Sequence, residues 1–475
     1  MQAPRPPQSE PERLKQLEDE NRQLQRQVEQ ARFKNKRLKK RIQRLEQDLE
    51  NARRAVHRQA APFSKGEPKA QPKTPGRKSG SAYGERSFRC VPPRVDEELQ
   101  APLSSRLCRC GGAVQVERVA PQYQEDIVRC TVVRCFHVEV GYCACCGART
   151  QGRHPLQTSD ALGAAQVQIG PEALVLGAHL NKQMGVSLGH TRRVLQAGYG
   201  LEFSRGGIYK ALARLATKAA PTYQGLIATA RESSVNWVDE TGWRVGGRSQ
   251  WLWAAVSELV TVYCILPGRG SAQLQQILGA DYDAWLLHDG LRCYSSLNQA
   301  QHQTCLTHLI RRCQEMAERA TRAAAQFPLQ VKTLLQQALS LSHRYARQEV
   351  TPHGLAVATG QLEAAMDRLL DHDYHTAGNR RLAKHLGHQR EYLFTFLRCP
   401  GLEGTNSRAE RAIRPAVIAR KVWGGNRTWS GAHVQQILMS VLRTFHQQGK
   451  DAFVSLVELL RIPGHKILEI VPTLA

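Results

Sequence analysis

No apolar run in this 475-residue chain approaches the length of a membrane span. Nor does an apolar segment ahead of a cleavage site open it, so nothing points to secretion. Acidic residues are few beside basic ones, 41 against 66, which leaves a formal charge of +25 and a pI near 9.9. Nothing here suggests a membrane-embedded or exported class, and the charge points to a polyanionic partner, nucleic acid first. The length allows two to four domains with a sizeable core.

Cysteine is present but uneven, with eight of 13 lying between Cys90 and Cys146. In a reducing cytosol such a cluster reads as metal ligands rather than disulfides. Cys108-x-Cys110 opens the block and Cys143-x-x-Cys146 closes it, with strand-like alternation between (RCTVVRCFHVEVGY). Four thiolates from two knuckles make a closed structural Zn2+ site, which replaces the core so short a segment lacks. Cys130, Cys135 and Cys145 stand as substitutes for the first pair.

Charge and periodicity divide the rest. Residues 1–58 read as a coiled coil. Leu14, Asn21, Val28, Asn35, Ile42, Leu49 and Val56 occupy one seam position, and Leu17, Leu24, Ala31, Leu38, Leu45 and Ala52 the other. Buried Asn21 and Asn35 each need a counterpart, which favours a parallel homodimer in fixed register. Residues 59–88 are Pro/Gly/Lys-rich and read as a flexible basic linker. The zinc module takes 89–150. Residues 151–232 read as helical, broken at Gly198-Tyr199-Gly200 and restarted by an N-cap at Ser204. That segment is a helix-turn-helix presenting Arg205 and Lys210 to DNA, or a plain helical hairpin.

From Val235 the texture turns to strands: VNWVDE and GWRV, a tight Gly246-Gly247 turn, SQWLWAAVS and LVTVYCIL. A helix (SAQLQQILG), a fourth strand (AWLLHD) and a fifth at TCL follow. This βββαβ order predicts a ribonuclease-H-like α/β core, its first part at 233–306. An α-helical insertion at 307–400 and a helical segment at 401–475 complete the chain. Trp243, Trp251 and Trp253 read as core rather than base-stacking platforms.

Three acids stand in dense contexts: Asp239 in VNWVDETGWRV, Asp289 in WLLHDGLRCY and Glu410 in GTNSRAERAIRP. Moving a phosphodiester needs an activated hydroxyl and relief of charge on a pentavalent phosphate, and two divalent ions on carboxylates supply both. Each acid has a plainer reading. Asp239 ends a strand beside Glu240, Asp289 starts a turn before Gly290, and Ser407-x-x-Glu410 spells a capping box. Cys305-x-x-His308 is a metal half-site without an evident second pair, and packing or pinning of the active-site strand suits it better. Arg311, Arg312, Arg411, Arg414, Arg420 and Lys421 are candidate phosphate contacts.

The blocks WVDETGWRV, HDGLRCY with TCLTHLIRRC, and TNSRAERAIRPAVIARKVWGGNRT resemble the catalytic blocks of the insertion sequence 66 family of DDE transposases. The order of zipper, basic linker and cysteine knuckles is similar too. The resemblance implies that Asp239, Asp289 and Glu410 bind two Mg2+ (or Mn2+) ions. It further implies binding of terminal inverted repeats, metal-dependent cleavage and strand transfer, accessory transposition proteins, and a bacterial, nucleoid-associated setting. The chain departs at Leu107, where the family has the first cysteine of a Cys-x-x-Cys pair, and at Leu306, where an aromatic is usual. Competing classes are a non-catalytic DNA-binding regulator and a structure-specific nuclease.

Overall fold

The computed structural model describes residues 21–33, 35–39, 41–42, 46, 91–103, 110–124, 130–157, 167–320, 322–399 and 401–472. The chain divides into two units, residues 1–125 and 126–475. In the first, residues 21–33, 35–39, 41–42 and 46 are helical (α1). Leu24, Val28, Leu38 and Ile42 of the heptad seam are exposed on this single chain. Asn21, Ala31 and Asn35 of the seam are exposed as well, whereas Leu14, Leu17, Leu45, Leu49, Ala52 and Val56, the 59–88 linker and Cys108 lie outside the described residues.

The second unit opens with a small antiparallel pair, β1 (Val140–Tyr142) and β2 (Arg149–Gln151), with Val140 opposite Gln151. The strand expected over RCTVVRCFHVEVGY is thus confined to its last three residues. Val132 and Val133 upstream are exposed, with no neighbouring strand described to pair them.

Helix α2 (Pro171–Ala178) runs into a π-helical turn, His179–Gln183. Helix α3 (Leu188–Tyr199) follows, and it ends at Gly200 in the left-handed region, φ 67°. The chain break is therefore at Gly200 alone; Gly198 is helical. Ser204 caps α4 (Arg205–Glu232), accepting a bond from the Gly207 N–H at 2.9 Å. Helix α4 is a 28-residue spine whose apolar face, from Ile208 to Ala230, is buried.

The sheet contains β3 (Val235–Val245), β4 (Arg248–Val256), β5 (Thr261–Leu266), β6 (Trp285–His288) and β7 (Gln301–Thr304), in the order β5-β4-β3-β6-β7. β3 is antiparallel to β4 and parallel to β6, and β7 is parallel to β6. Gly246 and Gly247, both at positive φ (58° and 77°), make the two-residue turn that closes the β3–β4 hairpin. Helix α5 (Ser271–Leu278) carries the chain from β5 to β6. The fifth strand lies one step earlier than TCL: Thr304 ends it, and Cys305 and Leu306 open α6 (Leu306–Arg319).

Helices α6, α7 (Arg322–Ala346), α8 (Pro352–Leu370), α9 (Ala377–Gln389) and α10 (Thr395–Arg398) form the expected helical insertion. Helices α11 (Ser407–Trp423), α12 (Trp429–Gln447) and α13 (Ala452–Arg461) close the chain. Strand alternation sends side chains of β3 to two cores. Val238 packs with Leu226, Leu274 and Leu286, while Trp237 packs with Leu287, Leu309 and Ala409. Trp243 joins Leu252, Ile413 and Ala416 in a third core. Trp243 and Trp253 are fully buried, whereas Trp251 is half-buried under the Arg269 guanidinium at 4.4 Å. Among the described residues no helix is long and apolar enough to cross a membrane.

Candidate active site

Asp239 and Asp289 come from neighbouring parallel strands. Trp237 is in register with Leu287, and two residues further along each strand stand Asp239 and Asp289. Burial pushes the Asp239 carboxyl up to about 7, helped by the negative charges of Glu240, Asp289 and Glu410. Its Oδ1 accepts the Glu240 backbone N–H at 2.9 Å. Asp289 Oδ1 accepts the Leu291 N–H at 2.9 Å, so the turn-forming role foreseen for it is real. Gly290 follows at φ 88°, and a Cβ there would crowd Thr304 at 3.3 Å, so the strand-to-turn reversal favours glycine.

Glu410 arrives on the first turn of α11. The capping box with Ser407 is not formed. Asn406 is the N-cap, Ser407 the first helical residue, and no side chain caps the helix. Asn406 is fully buried and occupied elsewhere. Its Nδ2 donates to the Val238 carbonyl at 2.7 Å, and its backbone N–H donates to the Cys305 thiol at 3.1 Å. Freed from capping, Glu410 turns toward α6. Its Oε1 lies 3.4 Å from His308 Nδ1 and 3.8 Å from the Arg311 guanidinium. Neither Glu410 Oε1 nor His308 Nδ1 completes a hydrogen bond, although both atoms are buried.

Cys305, His308 and Glu410 place one ligand atom each within 4.8 Å of one another, the one such trio among the described residues. Asp239 and Asp289 stand outside it. The half-site therefore does acquire a third member, across about a hundred residues of sequence, which local spacing never reveals. Cys305 is also core: it is 1% exposed, and burial raises its thiol.

Glu240 was visible only as a neighbour of Asp239. Its side chain is 2% exposed and 3.7 Å from Arg269, and it accepts the Tyr294 hydroxyl at 2.7 Å. Burial, then the charge of Asp289, pushes its carboxyl up to about 7 against the opposing effects of Tyr294 and Arg269.

The tail of the third block is architectural. Gly424 ends α11 in the left-handed region, and Gly425 passes so close to Arg244 that a Cβ would meet its carbonyl oxygen. Asn426 accepts from the Trp243 indole at 2.8 Å, and its backbone N–H donates to the Arg244 carbonyl at 2.9 Å. Arg420 bonds the Gly242 carbonyl and Thr241 Oγ1, tying α11 to β3. Arg205, Lys210, Arg311, Arg312, Arg411, Arg414 and Lys421 are exposed. Asp281 and Asp283 are exposed too, and Glu403 is engaged by Arg408 at 3.0 Å.

In the cysteine block, Cys143, Cys145 and Cys146 share one turn. It is closed by bonds from the Gly147 N–H to the Cys143 carbonyl and from the Cys143 N–H to the Ala148 carbonyl. Hydrogen bonds from Cys146 and Cys145 lower the Cys143 thiol. Cys110 belongs to the other unit.

No curated protein matches the chain. The model of the Transposase IS66 family matches residues 166–434, a span that runs from before α2 into α12 and holds all three acids. A match over more than half of the chain shows that it belongs to the IS66 family of transposases.

Proposed function

We propose that this transposase cleaves and joins DNA at a divalent-metal centre formed by Asp239, Asp289 and Glu410. The observation that carries the proposal is electrostatic. Two neighbouring parallel strands bring Asp239 and Asp289 together. Burial, with the charges of Glu240 beside it and of Asp289 and Glu410 from segments at least 50 residues away, pushes the Asp239 carboxyl up to about 7. Such a cluster is costly unless a cation neutralises it. The donors are hard oxygens, and Glu410 Oε1 has no hydrogen bond to lose, so Mg2+ or Mn2+ fits. Two ions there would supply an activated hydroxyl and offset charge on the pentavalent phosphate. The strand order, with three antiparallel strands followed by two parallel ones, supports a ribonuclease-H-like core.

In the proposed reaction, water attacks the phosphodiester at the transposon end and leaves a free 3′-OH. That hydroxyl then attacks a target phosphodiester and displaces its 3′ oxygen, so no covalent protein–DNA bond is needed. Exposed Arg311, Arg411, Arg414 and Lys421 lie on the helices that bear or face Glu410. They suit phosphate contacts, as do Arg205 and Lys210 at the start of α4, and Arg312 beside Arg311. Arg420 is committed to β3. The exposed seam of α1 suits a second copy of the chain, and the Cys143–Cys146 turn presents two thiols at the spacing of one zinc knuckle.

The test is a strand-transfer assay with duplexes mimicking the DNA flanking the coding region. Asp239→Asn and Asp289→Asn are expected to abolish cleavage while binding persists. Unchanged cleavage in both sinks the proposal. Binding without any wild-type cleavage points to a regulator, and cleavage without joining to a nuclease.

A further inference from the structure

We propose that Glu240 is a positioning residue, which through Tyr294 holds the Asp289 turn in place against Asp239. The inference rests on the proposed metal-centre reading and adds a residue outside the triad. Strand alternation points Glu240 to the face of β3 opposite Asp239, into the core that also contains Val238 and Trp253. A carboxylate 98% out of solvent there, in an otherwise apolar neighbourhood, is expensive without specific partners. It has two. Glu240 Oε2 accepts the Tyr294 hydroxyl at 2.7 Å, and Oε1 faces Arg269 at 3.7 Å.

Tyr294 is the link to the second acid. It is fully buried in the 3-10 turn Arg292–Ser296, five residues past Asp289. Its ring stacks on His288, the residue before Asp289, at 4.6 Å and 10°. His288 in turn accepts the Gly290 N–H at 3.0 Å through Nδ1, and its Nε2 lies 3.1 Å from His302 Nδ1 on β7. The backbone on both sides of Asp289 is therefore gripped by one buried network, and that network is anchored to β3 at the residue after Asp239. Shift Tyr294, and the spacing of the two aspartates across β3 and β6 loses its brace.

The test uses the full-length chain, an end-mimicking duplex, and Mn2+ titrated by calorimetry as a readout independent of turnover. Glu240→Gln keeps an acceptor for Tyr294 and is expected to stay within about threefold of wild type in both measurements. Glu240→Ala and Tyr294→Phe are expected to weaken Mn2+ binding and slow cleavage by about 10- to 100-fold, the range of supporting residues around metal ligands. Tyr294→Phe deletes only a hydroxyl, so it carries the test if Glu240→Ala misfolds. A Glu240→Gln chain as inactive as Asp239→Asn overturns the inference, because Glu240 would then be a ligand itself. Wild-type Mn2+ affinity in Tyr294→Phe overturns it as well. Cleavage surviving in Asp239→Asn and Asp289→Asn defeats the underlying reading instead, whatever Glu240 does.

Discussion

The Asn406 side-chain amide donates to the Val238 carbonyl at 2.7 Å, which ties the N-cap of the Glu410 helix to the residue before Asp239. The same residue's backbone N–H binds the Cys305 thiol at the head of α6. One buried asparagine thus joins the first and third acidic segments and the helix bearing His308. Asn406→Ala removes the tie and is expected to cost about 1–2 kcal/mol of stability and more than about tenfold in cleavage. Asn406→Asp, which cannot donate to a carbonyl, is expected to do no better. Denaturation and cleavage assays on the two variants check this, and wild-type cleavage in Asn406→Ala would remove the proposed role.

His308 and Arg311 are the side chains that face Glu410 from α6, and the imidazole is the nearer at 3.4 Å. His308→Ala leaves Glu410 free to rotate, so cleavage is expected to fall about 10- to 100-fold with little change in DNA affinity. Arg311→Ala is expected to weaken DNA binding more than it slows the chemistry, because its side chain is 55% exposed beside the site. Filter binding paired with single-turnover cleavage separates the two effects. Equal losses of binding in both variants would mean that His308 contacts DNA rather than orienting Glu410.

Much of this was legible because it is local. Alternation marked β3 and β4, the Gly246-Gly247 pair marked their turn, and the apolar runs before Asp239 and Asp289 marked the acids. Asp289 does follow the end of β6, but Asp239, expected at a strand end, lies inside β3, opposite Ala254. What escaped is long-range. The third partner of Cys305 and His308 lies a hundred residues downstream. Glu240 is distinguished from any other strand glutamate only by Tyr294 and Arg269, which fold in from elsewhere. The Ser407-x-x-Glu410 pattern misled for the same reason: tertiary contacts took Asn406 as the N-cap and Glu410 toward α6. The GGN segment after α11 reads as a loop in sequence, yet it clamps the β3–β4 hairpin through Trp243 and Arg244.

Asp239 exposes a conflict between site and stability. Its folded-state carboxyl titrates at about 7 against an ordinary value of 3.8. Between those limits the folded chain binds the proton more tightly than the unfolded one, so this contribution to stability is full below about 4 and is lost as pH rises to 7. Asp239→Asn never acquires the charge. Without divalent ions the variant is expected to match wild type near pH 4 and to exceed it at pH 8 by on the order of 4 kcal/mol. Added Mg2+ should stabilise wild type and close the gap. Thermal unfolding at the two pH values, with and without Mg2+, decides it, and a pH-independent difference would contradict the burial of this carboxyl.

Lys182 gives the opposite slope. It lies in the π-helical turn His179–Gln183, and burial alone depresses its ammonium to about 7 from an ordinary 10.5. Its Nζ donates to Gln435 Oε1 on α12 at 2.6 Å, a neutral partner that offsets little of the desolvation. Below pH 7 the amine is charged in both states and the folded chain carries the full penalty. From 7 to 10.5 only the unfolded chain holds the proton, so wild-type stability rises by up to about 1.4 kcal/mol per pH unit from this group. Lys182→Met fills the same space without a titrating head. Its stability relative to wild type is expected to be greatest at or below pH 7 and to shrink steadily as the pH approaches 10.5. Paired unfolding curves at pH 6.5, 8 and 9.5 measure that change, and a constant offset across the three would show that the Gln435 contact, not the buried charge, governs this position.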